Sequence, residues 1–257
     1  MTLTPLRRHL AAAAVLSLTL GFGACASDET PADESPSSDT ASPEPSEDAE
    51  PSEEPADGEF LTEDELMPAV LTPDDLPGGF VLEPEEEDDE DSEAFAGTCL
   101  EEVGTLTDQP EFDADGEAEA SYVLDGDAGQ SSVKSQVQSY ADQGQVETAI
   151  ALFSEVVGTC SEASGTDPDG TTYDLEVLSD QTVSLAGVDE QARVAISGTF
   201  TSGELELPVS IGYNVARIAN NIVVIATLDI GEAGDGIVPQ TDVIAQISVD
   251  RLAEITG

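Results

Sequence analysis

Apolar residues along the chain switch between two spacings, one belonging to helices and the other to strands. Val146, Ala149, Ile150, Phe153 and Val157 fall at offsets of 0, 3, 4, 7 and 11, which is one face of a helix. Asp142, with Gln145 three residues on, marks its start, and Gly158 is placed to end it. Near the C-terminus Ile244, Ile247, Leu252 and Ile255 make a second apolar stripe, with Pro239 suited to a helix N-terminus. Elsewhere the period is two. Tyr173, Leu175 and Val177 alternate with polar residues, as do Val194, Ile196 and Gly198 before Phe200, and Val209, Ile211, Tyr213 and Val215. Tyr122 to Leu124 and Val133 to Tyr140 read as two further strands, with Val133, Ser135 and Val137 on one side of the second. Ala219-Asn220-Asn221 forms a turn, because Asn tolerates positive φ. The turn leads into the unbroken apolar run Ile222 to Leu228, which predicts a central strand covered on both faces.

The first part of the patterned region is helical in short pieces. Thr62 to Glu65 has the form of a capping box ahead of Leu66, Met67 and Val70. Leu71 to Phe80 reads as one helical turn broken by Pro77 and Gly78. Ala94 to Leu106 is expected to be a helix presenting Cys99 with Phe95, Leu100 and Val103. The order is thus helices, two strands, a helix, about four strands and a helix, with short turns between most strands. That order predicts an α+β domain over residues 60–257, an antiparallel sheet of about six strands with helices packed on it.

Composition narrows the function. Of 257 residues, 56 are Asp or Glu and six are Lys or Arg, a formal charge of −50. Nucleic acid and anionic membrane surfaces are excluded as electrostatic partners, since both are polyanions. The only histidine is His9, which lies in a removable leader. Histidine-dependent triads, histidine metal ligation and histidine pH sensing are therefore excluded from the mature chain.

The leader is read from Arg7, Arg8 and His9, an apolar run from Leu10 to Leu20 too short to span a bilayer, and small residues before Cys25. Phe22-Gly23-Ala24-Cys25 resembles a bacterial lipobox, in which the cysteine thiol is alkylated by a diacylglyceryl group and the peptide is cut just before it. Residues 1–24 are then a signal peptide, and Cys25 carries the anchor that holds the protein on the outer face of the cell membrane. Residues 26–59 contain 13 acids, no bases and six prolines. That composition predicts an extended, disordered tether over residues 25–59.

An odd number of cysteines in an exported chain needs an explanation. Lipidation of Cys25 leaves Cys99 and Cys160. In an oxidising compartment a disulfide between them is the expected state, with a redox-active pair as the alternative that no Cys-x-x-Cys spacing supports.

Several of these features together resemble the PknH-like extracellular sensor domain of actinobacteria. They are the Val133 to Tyr140 run followed by Ala141-Asp142, the amphipathic helix with Cys160 at its end, and Cys99 on an upstream helix. The Arg217-Ile-Ala-Asn220 turn before Ile222-Val-Val-Ile and the Leu71 to Phe80 opening belong to the same pattern. The resemblance covers residues 60–257 and implies an antiparallel sheet flanked by helices, with a groove for a ligand. Ala219 stands where the family has glycine, and this chain can form one disulfide where the kinase sensor domain has two. No kinase segment is present, so any sensing would not be wired to a kinase in cis.

Candidate chemistry is sparse. The acid run Glu83 to Asp91 offers charge without the geometry that Ca²⁺ requires, and predicts a solvated loop with a diffuse counterion cloud. Asp113-Ala-Asp115-Gly116 and Asp167-Pro-Asp169-Gly170 begin like calcium loops. Counting on, Ala118 and Thr172 occupy the position of the glycine, and Leu124 and Leu178 that of the glutamate, so both are read as turns. Lys134, beside Ser132 and Ser135, lacks any Ser-Lys motif, and Asp189-Glu190 is read as a turn. The mature chain keeps four bases, Lys134, Arg193, Arg217 and Arg251, each expected to pair with a carboxylate; alternatively Arg193 or Arg217 orients a polar ligand. The expected function is non-catalytic: no enzyme, no cofactor and no metal. The domain is read as a lipid-anchored extracytoplasmic one that binds a small ligand or an envelope protein, or alternatively as a structural or interaction lipoprotein without a small-molecule site.

Overall fold

The computed structural model describes residues 60–83, 95–106, 109, 112–126, 129–168, 170–231 and 236–257. The signal peptide, Cys25, the tether and all but the first residue of the Glu83 to Asp91 run lie outside them. The elements are α1 (Glu63–Leu66), β1 (Val81–Leu82), α2 (Cys99–Leu106), β2 (Gly116–Asp125), β3 (Gly129–Ser139), α3 (Gln143–Thr159), β4 (Glu162–Thr166), β5 (Thr172–Asp180), β6 (Glu190–Ser202), β7 (Leu205–Ile218), β8 (Asn221–Gly231) and α4 (Thr241–Thr256). Single 3₁₀ turns lie at Met67–Ala69, Pro73–Asp75 and Val238–Gln240.

The strands form one antiparallel sheet in the order β1-β2-β3-β8-β7-β6-β5-β4. From β3 the chain crosses the sheet through α3 and enters the far edge as β4. It then returns strand by strand until β8 closes against β3. The α+β class and the antiparallel sheet stand as expected, but there are eight strands rather than about six. The two additional ones, β1 and β4, are the edges. Two residues make β1, and β4 buries Ala163 alone, so neither carries an apolar alternation that could announce it.

Both faces of the sheet are covered, though unequally. On one face α2 and α3 pack over alternate residues of β5 to β8, with Phe153, Leu175, Val194, Ile211 and Val224 in the shared core. On the other, α4 and the N-terminal turns pack over β2, β3, β7 and β8, where Leu66, Leu71, Val137, Ile225 and Val249 meet. The central strand β8 feeds both cores: Ile222 and Val224 point one way, Val223 and Ile225 the other. Gly212 makes the α4 contact possible, because a Cβ there would lie 2.3 Å from Thr241 Oγ1. The N-terminal layer is bonded to the sheet through Tyr122, whose hydroxyl donates to the Leu71 carbonyl (2.6 Å), and to α4 through Ser248, whose hydroxyl donates to the Ala69 carbonyl (2.7 Å).

Two boundaries differ from the sequence reading. The helix expected from Ala94 begins at Cys99, because Gly97 has φ +79° and breaks it; Thr98 caps what remains, its hydroxyl accepting from Leu100 N–H at 3.2 Å. The single helical turn expected between Leu71 and Phe80 is the Pro73–Asp75 turn, and the chain past Pro77 and Gly78 goes on into β1 rather than staying irregular.

Candidate functional site

Half of one sheet face has no described helix on it. Along β4, β5 and β6 the residues facing α3, such as Ala163, Tyr173, Leu175, Val194 and Ile196, are buried, and those between them face away. At the β4 end the outward set is polar, with Glu162, Ser164 and Thr166 on β4, Thr172, Asp174 and Glu176 on β5, and Ser197, Thr199 and Thr201 on β6, while further along the exposed Leu178 of β5 stands opposite Ala195 of β6. Register aligns them in rows across the strands. Thr166, Thr172 and Thr201 form one row, Ser164, Asp174 and Thr199 the next, and Glu162, Glu176 and Ser197 a third.

The first two rows line an open groove of about 400 Å³. Gly198 lets its floor close up: a Cβ there would fall 2.0 Å from the Asp174 carbonyl oxygen. The Thr172 hydroxyl reaches the Thr201 carbonyl at 3.4 Å, while the hydroxyls of Ser164, Thr166, Thr199 and Thr201 make no hydrogen bond among the described residues. The groove thus presents both donors and acceptors, with the Asp174 carboxylate among them. An apolar cavity on the opposite face, between α3 and the sheet beside Phe153, Tyr213 and Gln138, measures about 30 Å³. That is room for about one water.

The two arginines singled out in the sequence lie on opposite faces and are not brought together. Arg193 of β6 belongs to the open face. It makes ion pairs with Asp180 and, at 3.0 Å, with Asp242 at the start of α4, and Asn214 Nδ2 donates to the other oxygen of Asp242 at 2.8 Å. Its Nε is buried without a hydrogen-bond partner among the described residues. Hydrogen bonds from the Thr182 amide and hydroxyl, together with Arg193, hold the Asp180 carboxyl below its ordinary value. Arg217 of β7 lies on the α3 side. It donates to Glu190 Oε2 at 2.7 Å and to the Ala219 carbonyl at 3.0 Å, with Asp189 at 3.6 Å and Glu147 at 3.9 Å. Lys134 meets Glu119 at 3.0 Å and Arg251 meets Asp75 at 2.6 Å. Each base expected to pair with a carboxylate therefore does so.

The remaining candidates are structural. Asp167 accepts from Thr171 N–H at 2.8 Å in the β4–β5 hairpin, a turn as expected, whereas the Asp113 fragment runs into β2, where Asp115 N–H donates to the Ser139 carbonyl at 3.0 Å and its carboxylate accepts from Ala141 N–H at 2.7 Å. Cys99 and Cys160 are joined by a disulfide. Among the described residues no three His, Cys, Asp or Glu side chains cluster to hold a metal, and no helix is long and apolar enough to cross a membrane. Glu117 on β2 is desolvated between β3 and its neighbours. Its burial raises its carboxyl above the ordinary range, despite a hydrogen bond from Gln138 Nε2. Nothing in the sequence singled out the groove, because an exposed polar alternation looks the same whether its face is open or lies beside a helix.

No family profile matches the chain, and no curated protein sequence matches it. Among solved structures it is similar to the extracellular domain of PknH from Mycobacterium tuberculosis, at 13% identity and a TM-score of 0.46, over 76% of this chain and 98% of that one.

Proposed function

We propose that the chain is a lipid-anchored, extracytoplasmic, non-catalytic binding protein whose recognition surface is the open half of the sheet. The observation that carries this reading is the groove of about 400 Å³, lined by Ser164, Thr166, Thr172, Asp174, Thr199 and Thr201 and left uncovered by any described helix. Its polar lining suits a ligand recognised by hydrogen bonds at a wide surface. The apolar cavity is far smaller than the ~300–1,000 Å³ of an enclosed small-molecule site. Arg193 is the cationic group this face offers a polar ligand, while Arg217 on the opposite face braces the β7–β8 turn. The Cys99–Cys160 disulfide supports an oxidising compartment. Cys25 and the acidic tether supply the anchor and the spacer.

Native mass spectrometry of the protein extracted from its own membrane tests the binding reading. Wild-type protein is expected to retain a bound molecule or partner that Thr199→Arg, which fills the groove, no longer retains. Equal retention by both, or none by either, would refute it. Replacing Cys25 with Ser tests the anchor: the protein should leave the membrane fraction, and unchanged partitioning would rule out lipidation.

A further inference from the structure

Beside the groove lies the β4 edge of the sheet, where Cys99 Sγ sits 3.6 Å from the Glu162 carbonyl at the first residue and no described strand pairs with the rest. In the β4–β5 ladder Val177 N–H donates to Ser161 and Asp167 N–H to Thr171, both at 2.9 Å. The register therefore makes 161, 163, 165 and 167 the hydrogen-bonded positions. Residues directly opposite one another alternate between bonded and unbonded pairs, so the backbone N–H and C=O groups of Ser164 and Thr166 point away from β5. No described strand lies beyond β4, and neither residue has another hydrogen bond among the described residues. Proteins blunt such edges with lysine, proline or bulges. Glu162-Ala-Ser-Gly-Thr166 has neither lysine nor proline, and shortness is its main protection. The same Ser164 and Thr166 line the groove with their side chains. Edge and groove form one continuous surface.

We infer that this surface takes an extended cationic polypeptide segment, added as a ninth strand against β4 with alternate basic side chains lying over the groove. Strand addition draws affinity from main-chain hydrogen bonds and specificity from alternate side-chain positions. Charge selects the occupant. Glu162 stands directly opposite Glu176 in the register, Asp174 lies on the same face, and none of the three has a basic partner among the described residues. Like charges directly opposite one another are destabilising, and an incoming cation relieves that. A second copy of the chain carries −50, and its own segment 26–59 carries 13 acids and no base; both are repelled. The inference rests on the open half-face being the recognition surface and assigns the class of partner it receives.

The full-length, disulfide-bonded protein is to be titrated with three blocked heptapeptides. One alternates lysine with threonine, one has glutamate for lysine, and one is the lysine peptide N-methylated at every second amide, which keeps the charge and removes the strand hydrogen bonds. The lysine peptide is expected to bind and to slow amide exchange at Ser164 and Thr166. The glutamate peptide should not bind, and the N-methylated one should bind at least tenfold more weakly. Ser164→Pro, which removes an N–H that faces solvent and is tolerable at an edge, should weaken the lysine peptide at least tenfold with the melting midpoint retained. Asp174→Asn should weaken it with no change at the backbone. Equal binding of the methylated and unmethylated lysine peptides, unprotected Ser164 and Thr166 amides, or no binding would overturn the inference. Retention of a native ligand sensitive to Thr199→Arg would then leave the proposed function standing, whereas failure of both experiments removes both.

Discussion

The carboxylate of Asp75 accepts two hydrogen bonds from the guanidinium of Arg251, at 2.6 and 2.8 Å, and so ties the N-terminal turns to the last third of α4. Arg251 also reaches the Val70 carbonyl at 3.2 Å, and Thr72 N–H donates to the same Asp75 carboxylate at 2.7 Å. A residue of the first described segment and one near the C-terminus thus close the layer over β2, β3 and β8. Burial raises the Asp75 carboxyl, but the bonds from Arg251 and Thr72 and the charge of Arg251 outweigh it, and the group sits below its ordinary value of 3.8.

Asp75→Asn is therefore expected to destabilise the domain at pH 7 by about 1–2 kcal/mol. That is the lower part of the range for charge-assisted bonds, reduced because solvent reaches Arg251. A carboxyl with a lowered folded pKa stabilises above its unfolded pKa and loses that contribution as pH falls through the folded one. The gap between wild type and Asp75→Asn should accordingly be full at pH 7 and shrink below pH 3.8. Urea melts at pH 7 and pH 3 read it, and a gap unchanged at pH 3 would assign the loss to packing.

Glu117 has the opposite sign. Its folded pKa lies above 4.5 through burial, so the folded state bears a cost whenever this carboxyl is ionised, and the cost is relieved as pH falls through the folded pKa towards 4.5. Glu117→Gln keeps an oxygen for the 2.9 Å bond from Gln138 Nε2 and should raise the melting midpoint at pH 7. The gain should vanish near pH 4. A lower midpoint at pH 7 would mean that the field of Lys134 outweighs the desolvation.

The disulfide joins residues 61 apart in sequence. It links the start of α2 to the residue after α3 and staples that layer over the sheet. On the loop-entropy account, replacing both Cys99 and Cys160 with Ser should cost about 4 kcal/mol. The measurement is the denaturation midpoint of the double variant against wild type, with wild type under reducing conditions as the control. Matching midpoints for oxidised and reduced wild type would place the stability of this layer in its apolar contacts alone.

Much of this architecture was legible in the sequence, and where it was not, the reason is local. All five residues of the α3 stripe, Val146, Ala149, Ile150, Phe153 and Val157, are buried, as is the double-sided run of β8 apart from the half-buried Ala226. A pattern survives when one face meets one core. On α4 the stripe Ile244, Ile247, Leu252 and Ile255 was half right. Ile244 and Leu252 are buried, but Ala245, Ser248 and Val249 complete the face, and Ile247 and Ile255 stay partly exposed. The small hydroxyl of Ser248 is admitted to the core by its bond to Ala69, which no hydropathy pattern shows. The ion pairs of Arg193 and Arg217 follow from scarcity of bases. The groove does not follow from anything local, since it exists because no described helix lies over the outward face of β4 to β6.

Ala219 is the non-glycine residue with positive φ among the described residues, at +53°. It forms the two-residue β7–β8 turn with Asn220, and Asp189 accepts from its N–H at 2.7 Å. The left-handed conformation costs a residue with a Cβ about 1–2 kcal/mol. Glycine removes that cost but adds freedom to the unfolded chain, worth about 0.4–1 kcal/mol. Ala219→Gly should therefore stabilise the domain by up to about 1 kcal/mol, read as a higher denaturation midpoint with an unchanged denaturant slope. A lower midpoint would show that the Asp189 bond already offsets the strain.

Charge sets the response to salt. Residues 60–257 hold 43 acids and four bases, and among the described residues those bases pair with the carboxylates of Asp75, Glu119, Glu147, Asp180, Asp189, Glu190 and Asp242. Acids thus outnumber bases more than tenfold, and self-repulsion destabilises a compact state. Salt acts on both terms. It screens the few attractive pairs, which are short and partly buried, less than the many longer-range repulsions between exposed groups, because the Debye length falls from about 30 Å at 0.01 M to about 3 Å at 1 M. The melting midpoint should consequently rise with NaCl, steeply at first and then level off. Divalent cations should act at lower concentration without one-to-one saturation. A midpoint that stays flat or falls with NaCl would mean that the ion pairs, not the repulsion, govern stability, and a sharp stoichiometric endpoint with Ca²⁺ would reveal a specific site among the acids.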